Sequence, residues 1–161
     1  MKLDAAQRRA LLSHPAGWIA TGFGAGLAPV APGTVGSAVA LLPYWLWLRD
    51  LPLAGYLVVA ALVFALGVVA SRIVVARTGV QDPGFVVIDE FVGQWLALTL
   101  APPGWWWVIV GFVLFRIFDV WKPWPVSWAD RNVHGGFGVM LDDAIAGVLA
   151  GVLLAVAAHW A

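Results

Sequence analysis

The chain has 161 residues, of which 62% are hydrophobic and 11% charged, with nine basic and nine acidic side chains and no cysteine. A soluble domain carries about 25% charged residues, so this composition predicts an integral membrane protein. The balanced charge gives no reason to expect a nucleic-acid partner. The lack of cysteine excludes disulfides, thiolate metal sites and cysteine nucleophiles. The length suits a single domain over residues 1–161.

The first elements are an amphipathic stretch and a segment rich in glycine and proline. Residues 1–15 have the pattern of a short helix lying at the headgroup level of a membrane, although a solvated tail fits the same residues. Residues 17–37 contain too much Gly and Pro for one spanning helix, and they can form a re-entrant segment where protein or water satisfies the backbone. Pro32-Gly33-Thr34 then opens a helix to about Leu48, with Thr34 as its N-cap.

Four further apolar runs follow, which predicts an all-α membrane bundle with four to five spanning helices. The runs cover residues 53–70, 90–100, 105–121 and 142–160. The first is long enough to cross a bilayer, which takes about 20 residues, whereas the second is short. We expect polar connections over residues 71–89 and 122–141. In the last run, Gly147 and Gly151 form a GxxxG pair, which is typical of close helix packing.

The charges predict which end of the bundle faces the cytoplasm. Five spans place the N-terminus and both polar connections on one side, together with every basic residue except Arg49. Basic residues concentrate on the cytoplasmic side of membrane proteins. Tryptophans at positions 45, 47, 105–107 and 160 mark the opposite side, as an interfacial aromatic belt does. We therefore predict a multi-pass membrane protein whose charged end faces the cytoplasm.

Carboxylates from three separate runs are expected to meet at this charged end. They are Asp89, Glu90, Asp119, Asp142 and Asp143, with Asp82 a little upstream of the first two. A carboxylate just inside a membrane boundary is costly unless it is paired or coordinated. Clustered carboxylates suit Mg²⁺, which prefers oxygen ligands. Each acid alone can equally cap a helix N-terminus or solvate a loop, but the set favours a metal site.

Basic side chains beside these acids suit a phosphate group. Arg116, Asp119 and Lys122 are spaced by three residues, so they can project to one side of a helix end. An ion pair between Arg116 and Asp119 explains why these two residues occur together, but it leaves Lys122 without a partner. We assign Arg116, Lys122 and Arg131 to a phosphate, which arginine binds with a fork of N–H groups and lysine with a point charge.

Two hydroxyl side chains and one histidine are the remaining candidate site residues. Thr34 and Ser37 lie at a predicted helix start, where free backbone N–H groups form an anion site. His134 lies in a glycine-rich stretch and fits three roles, namely a general acid, a ligand or a solvated side chain. Of these three roles, the sequence slightly favours the solvated side chain.

Three ordered motifs resemble the bacterial phosphatidylglycerophosphatase A family. They are LAPVAPGTVGS, DPGFVVIDEFVGQW and FRIFDVWKPWPVSWADRNVHGGFGVMLDDAIAG, within residues 21–147. The resemblance implies a Mg²⁺-dependent enzyme of the bacterial inner membrane that hydrolyses phosphatidylglycerophosphate to phosphatidylglycerol and inorganic phosphate. Its polar motif positions fall on Thr34, Ser37, Asp89, Glu90, Arg116, Asp119, Lys122, Asp130, Arg131, Asp142 and Asp143.

The residues and the resemblance lead to one mechanistic hypothesis, in which the group that attacks the phosphate is left open. Mg²⁺ held by Asp89, Glu90, Asp119, Asp142 and Asp143 polarises the phosphomonoester of a membrane lipid and activates an attacking water, with the last four of these acids as the catalytic set. A covalent aspartyl-phosphate route through Asp119 or Asp142 fits equally. The alternative function is a small cation-coupled transporter that uses the clustered carboxylates. The number of metals, the headgroup selectivity and the oligomeric state stay open.

Overall fold

The computed structural model describes residues 5–80 and 83–160. Within these ranges every regular element is helical, which confirms the prediction of an all-α fold. The α-helices are α1 (Ala5–Leu12), α2 (Pro15–Ala20), α3 (Pro32–Leu46), α4 (Leu53–Thr78), α5 (Ile88–Leu98), α6 (Trp105–Trp121), α7 (Val126–Asn132) and α8 (Gly135–His159). Short 3₁₀ turns at Ala25–Leu27 and Leu48–Asp50 lie before and after α3.

Helix α5 forms the centre of the bundle. It packs against α3, α4, α6 and α8, and it is buried on nearly all sides. A helix buried all round is mainly apolar, and most of its polar groups find partners. The Trp95 indole accordingly donates to the Ala40 carbonyl at 2.8 Å, and the Tyr56 hydroxyl donates to the Trp95 carbonyl at 2.6 Å. These two bonds tie α3 and α4 to the central helix.

Glycines allow α8 to cross α5 closely. A Cβ atom at Gly147 would collide with the carbonyl oxygen of Gly93, and one at Gly151 would lie 2.8 Å from the carbonyl oxygen of Leu96. Small residues at such crossings let two helix backbones approach. The predicted packing role of the GxxxG pair is confirmed. The crossing also brings the acidic residues near the start of α8 beside those at the start of α5.

Two helices are long and apolar enough to cross a bilayer, namely α4 with 26 residues and α8 with 25. Helices α3, α5 and α6 have 15, 11 and 17 residues, so the predicted four to five spans are not confirmed. Outward side chains of α4, such as Leu57 and Leu62, are apolar and exposed. This surface is compatible with a membrane protein.

Both predicted polar connections are wrong in their extent. Helix α4 continues to Thr78, because Ser71, Val74 and Thr78 recur at helical spacing and bury one face. The second connection contains α7 and the first two turns of α8. Helix α8 begins at Gly135 rather than at Asp142, and a Cβ at Gly136 would collide with the Val68 carbonyl of α4.

The predicted N-terminal elements form with one shifted boundary. Helix α1 packs on α4 and its Leu11 is buried, while residues 1–4 lie outside the described part. The glycine- and proline-rich segment contains α2, and the Val87 N–H donates to the Ala20 carbonyl at 2.8 Å. Thr34 is not the N-cap of α3, because Ala31 takes that position and Pro32 is the first helical residue. Whether this segment re-enters a membrane stays a prediction.

Candidate active site

A cavity of about 470 Å³ lies at the end of the bundle where α3 and α5 begin and α6 ends. Six carboxylates line it, namely Asp89, Glu90, Asp119, Asp130, Asp142 and Asp143. Lys122 and His134 line it as well. The structure therefore brings together the acids of three predicted runs, and α7 adds Asp130. We call this space the carboxylate cavity.

Each acid reaches the cavity from a different helical position. Asp89 and Glu90 lie in the first turn of α5, where the helix dipole favours negative charge. Asp119 lies near the C-terminus of α6, where the dipole disfavours it, and the Arg116 guanidinium at 2.6 Å compensates. Asp142 and Asp143 were predicted to lie at a helix end, but they lie about two turns inside α8 and are buried. They cannot be N-caps of that helix.

Glu90 is held by partners from two other helices. Its Oε2 accepts hydrogen bonds from the Ser37 hydroxyl at 2.6 Å and from Nη1 of Arg116. Arg116 Nη1 also lies 3.3 Å from the Ser37 oxygen. A Cβ at Gly33 would collide with Glu90 Oε1, so the glycine at the start of α3 leaves room for the carboxylate. Ser37, which the sequence assigns to phosphate, is fully buried and engaged with Glu90.

Lys122 joins the ends of three helices on the other side of the cavity. It follows α6 in a left-handed conformation with φ of 48°, and its ammonium donates to Asp130 of α7 and, at 2.6 Å, to Asp142 of α8. Burial lowers the pKa of Lys122, but its hydrogen bonds and charge pairing with Asp130 and Asp142 outweigh this and raise the pKa above its usual range. Lys122 is therefore a stable positive charge in the cavity.

One carboxylate oxygen in this network lacks a partner. Asp142 Oδ2 accepts from Lys122, but Oδ1 is buried and has no hydrogen-bond partner within residues 5–80 and 83–160. A buried carboxylate oxygen without a donor is costly, so such an atom indicates a missing water, ion or ligand.

The balance of charge also favours a cation. Six carboxylates face one ammonium in the cavity, and the Arg116 guanidinium beside it pairs with Glu90 and Asp119. An anionic phosphate can enter only if positive charge is added, either as a metal ion or as protons. In donor chemistry the residues fit Mg²⁺. Within the described ranges, no three acidic or histidine side chains are spaced to hold a metal ion.

The remaining predicted site residues lie apart from this cavity or at its edge. Arg131 is exposed on α7 and makes no ion pair with any described residue. Thr34 is exposed and lines a separate groove beside Arg116. His134 lines the carboxylate cavity at the N-cap position of α8 without making a side-chain cap bond. Asp82 lies outside the described residues.

Small and apolar residues that are not among the predicted site residues also shape the cavity. Pro83 and Gly84 line it from the segment before α5, and Gly138 lines it from the first turn of α8. A Cβ at Gly138 would collide with the Val133 carbonyl. The Pro-Gly pair beside the acidic motif is the sequence signal that could have identified the first two.

The chain is similar to known proteins over nearly its whole length. The family model for phosphatidylglycerophosphatase A matches residues 18–158. Phosphatidylglycerophosphatase A of Escherichia coli strain K12 is 46% identical over 98% of this chain and 92% of its own length. The Haemophilus influenzae protein of the same name is 37% identical over 92% of both chains. A Bacteroides thetaiotaomicron protein, named as a candidate phosphatidylinositol-3-phosphatase, is 41% identical over 86% of this chain and 91% of its own. No solved structure is significantly similar.

Proposed function

The chain belongs to the phosphatidylglycerophosphatase A family, and we propose that it hydrolyses phosphatidylglycerophosphate to phosphatidylglycerol and inorganic phosphate. The observation that carries this proposal is the carboxylate cavity, which combines six acids with the ammonium of Lys122. Such a site suits a phosphomonoester when a cation offsets the acids. The comparisons give no support to a cation-coupled transporter.

We propose Mg²⁺ as the cofactor, held by oxygens of Asp89, Glu90, Asp119, Asp142 and Asp143. When bound, Mg²⁺ supplies a Lewis acid for a phosphoryl oxygen and lowers the pKa of water. Two observations support a cation in this place, namely the unpartnered Oδ1 of Asp142 and the excess of carboxylates over basic groups.

The chain's own residues supply the positioning and the fixed charges. Lys122 neutralises an oxygen of the terminal phosphate, because its ammonium already lies beside Asp142 in the cavity. Arg116 and Ser37 keep the Glu90 carboxylate in one orientation. Two routes stay open. In one, a carboxylate of the cavity accepts a proton from the attacking water. In the other, Asp119 or Asp142 attacks phosphorus, the phosphatidylglycerol oxygen leaves and takes up a proton, and water then hydrolyses the aspartyl-phosphate to release inorganic phosphate.

The site suits a substrate that stays in the membrane. We propose a multi-pass arrangement in the bacterial inner membrane with the carboxylate cavity at the cytoplasmic face. The apolar exposed sides of α4 and α8 support a lipid surround, and the concentration of basic residues at the cavity end supports this orientation. The lipid headgroup then enters the cavity from the membrane boundary while its chains remain in the bilayer.

Release of inorganic phosphate from phosphatidylglycerophosphate by the purified protein tests this function. We expect release with Mg²⁺ and its loss with a chelator. Asp142→Asn should lower kcat by roughly 100-fold or more, because an interaction worth several kcal/mol is lost. Asp50→Asn is the matched control, since Asp50 is exposed and pairs with Arg49 at 3.6 Å at the other end of the bundle.

Three results would contradict parts of this proposal. No phosphate release under any condition would exclude the function. Full activity in the chelator would exclude the metal. A folded Asp142→Asn protein with wild-type kcat would exclude the site.

A further inference from the structure

An apolar groove of about 590 Å³ runs along α6 on the outside of the bundle. It is lined by Thr34, Phe112, Val113, Arg116, Ile117, Val120 and Trp121. Val113 and Ile117 are nearly half exposed, and Val120 and Trp121 are more than two-thirds exposed. Arg116 is the only charged side chain among the lining residues, and none of the acids of the carboxylate cavity lines this groove.

Arg116 connects this groove to the carboxylate cavity. Its Nη1 contacts Glu90 and Asp119, both of which line the cavity. Within the described ranges, Nη1 makes every hydrogen bond and ion pair of this guanidinium, so the N–H groups on Nη2 and Nε are free. A guanidinium carries five N–H donors in a fixed fork. Free donors beside an apolar groove suit an oxygen acceptor attached to an apolar chain.

We propose that this groove binds an acyl chain of the substrate lipid, while the free N–H groups of Arg116 bind the phosphodiester oxygens next to that chain. The proposal rests on the proposed function. A phosphatidyl substrate has a phosphodiester between its glycerol backbone and its headgroup, followed by the phosphomonoester that is cleaved. One lipid can therefore contact the groove, Arg116 and the carboxylate cavity in that order.

A second apolar groove shows why the link through Arg116 matters. It has a volume of about 310 Å³ and is lined by Leu41, Leu42, Trp45, Trp105, Val108 and Ile109. These residues belong to the C-terminal half of α3 and the N-terminal half of α6, which lie away from the carboxylate cavity. No charged side chain lines this groove. It can touch lipid chains, but it offers no polar group to hold a headgroup at the site.

Substitutions that fill the apolar groove along α6 test the proposal. Val113→Trp places a large ring in the groove, and Val148→Trp is the matched control on α8, where Val148 is 51% exposed and lines neither groove. We would measure kcat/KM for dioleoyl and dihexanoyl phosphatidylglycerophosphate in micelles. In Val113→Trp the ratio of the dioleoyl value to the dihexanoyl value should fall tenfold or more, mainly through a higher KM. Val148→Trp should keep the wild-type ratio.

The outcomes separate this inference from the proposed function. Equal ratios in Val113→Trp and Val148→Trp would overturn the inference and leave the function standing. A wild-type protein that hydrolyses neither lipid would overturn the function and the inference with it. If Val113→Trp fails to fold, Ile117→Trp fills the same groove one turn later on α6 and must give the same fall in the ratio.

Discussion

At the scale of single residues, the forked guanidinium of Arg116 contacts several partners at once, which the ammonium of a lysine cannot do in the same geometry. Nη1 contacts Glu90, Asp119 and Ser37, and Arg116 also lines the apolar groove along α6. A lysine at this position is a single point charge and cannot hold both sides. We expect Arg116→Lys to lower kcat/KM for the lipid by about 10- to 100-fold, the usual effect of losing a group that orients site residues.

The measurement is phosphate release from dioleoyl phosphatidylglycerophosphate at several concentrations. Arg72→Lys is the control, since Arg72 is exposed on α4 and makes no ion pair with a described residue. Wild-type kcat/KM in a folded Arg116→Lys protein would contradict the expected role of the Arg116 guanidinium.

Lys122 predicts a dependence of stability on alkaline pH. Its pKa is raised in the folded protein, because the pairing with Asp130 and Asp142 outweighs burial. Its stabilising contribution is therefore complete below the unfolded lysine pKa of about 10.4 and is lost only as the pH rises through the higher folded value. We expect the difference in unfolding temperature between the wild type and Lys122→Met to stay constant from about pH 8 to 10 and to shrink above that.

Thermal unfolding in detergent across this range measures the difference. A difference that stays constant well above pH 10.4 would mean that the pKa of Lys122 is not raised in the folded protein.

The sequence predicted well which charged residues belong to the candidate site. It predicted less well in which direction their side chains point. Neighbours on an α-helix project about 100° apart, since 3.6 residues make one turn. On α7, Asp130 faces Lys122, and the next residue, Arg131, is exposed and does not line the cavity. The three-residue spacing correctly predicted that Arg116 lies beside Asp119, whereas Lys122 lies beyond the end of α6 and reaches the cavity from a left-handed conformation. The assignment of Arg131 to phosphate stays a prediction.

At the scale of helices, the crossing of α5 and α8 sets the geometry of the site. Gly147 meets the backbone of Gly93 there, and a larger side chain must push the two helices apart. We expect Gly147→Leu to destabilise the protein by more than the roughly 1–3 kcal/mol that is typical of overpacking. It should also lower activity, because the acids of α8 move away from those of α5.

Gly55→Ala is the matched control for this crossing. Its new Cβ would come no closer than 3.9 Å to the Leu51 side chain, so it should leave both stability and activity near the wild type. Denaturant unfolding and phosphate release measure both effects. An equal free energy of unfolding in the two variants would show that the crossing tolerates a side chain.

Glycine also explains why the start of α8 could not be predicted from the sequence. A stretch such as His-Gly-Gly-Phe-Gly has low helix propensity, so it indicates a loop. In the fold, Gly136 and Gly138 lie where a Cβ would collide with backbone oxygens of Val68 and Val133. Tertiary contacts therefore override propensity. The end of α4 is different, since the helical spacing of Ser71, Val74 and Thr78 is present in the sequence and the predicted polar connection over residues 71–89 overlooked it.

At the scale of the whole molecule, the lengths of the helices limit what the sequence could establish. At 1.5 Å per residue, α3, α5 and α6 reach about 22, 16 and 26 Å, whereas a bilayer core is about 30 Å thick. Hydropathy identified these helices, and the structure places the start of α5 and the end of α6 at the same cavity. Charge clustering therefore predicted the site end of the bundle even though the number of spans is not established.

The orientation of the whole bundle can be tested with single cysteines, because the natural chain has none. Asn132→Cys places a thiol at the cavity end on α7, and Asp50→Cys places one at the opposite end, and both positions are exposed. If the cavity faces the cytoplasm, a membrane-impermeant maleimide should label Asp50→Cys in intact cells and Asn132→Cys only in inverted vesicles. Labelling of Asn132→Cys in intact cells would place the cavity outside. The excess of basic residues at the cavity end would then need a cause other than the positive-inside rule, namely the binding of the anionic headgroup itself.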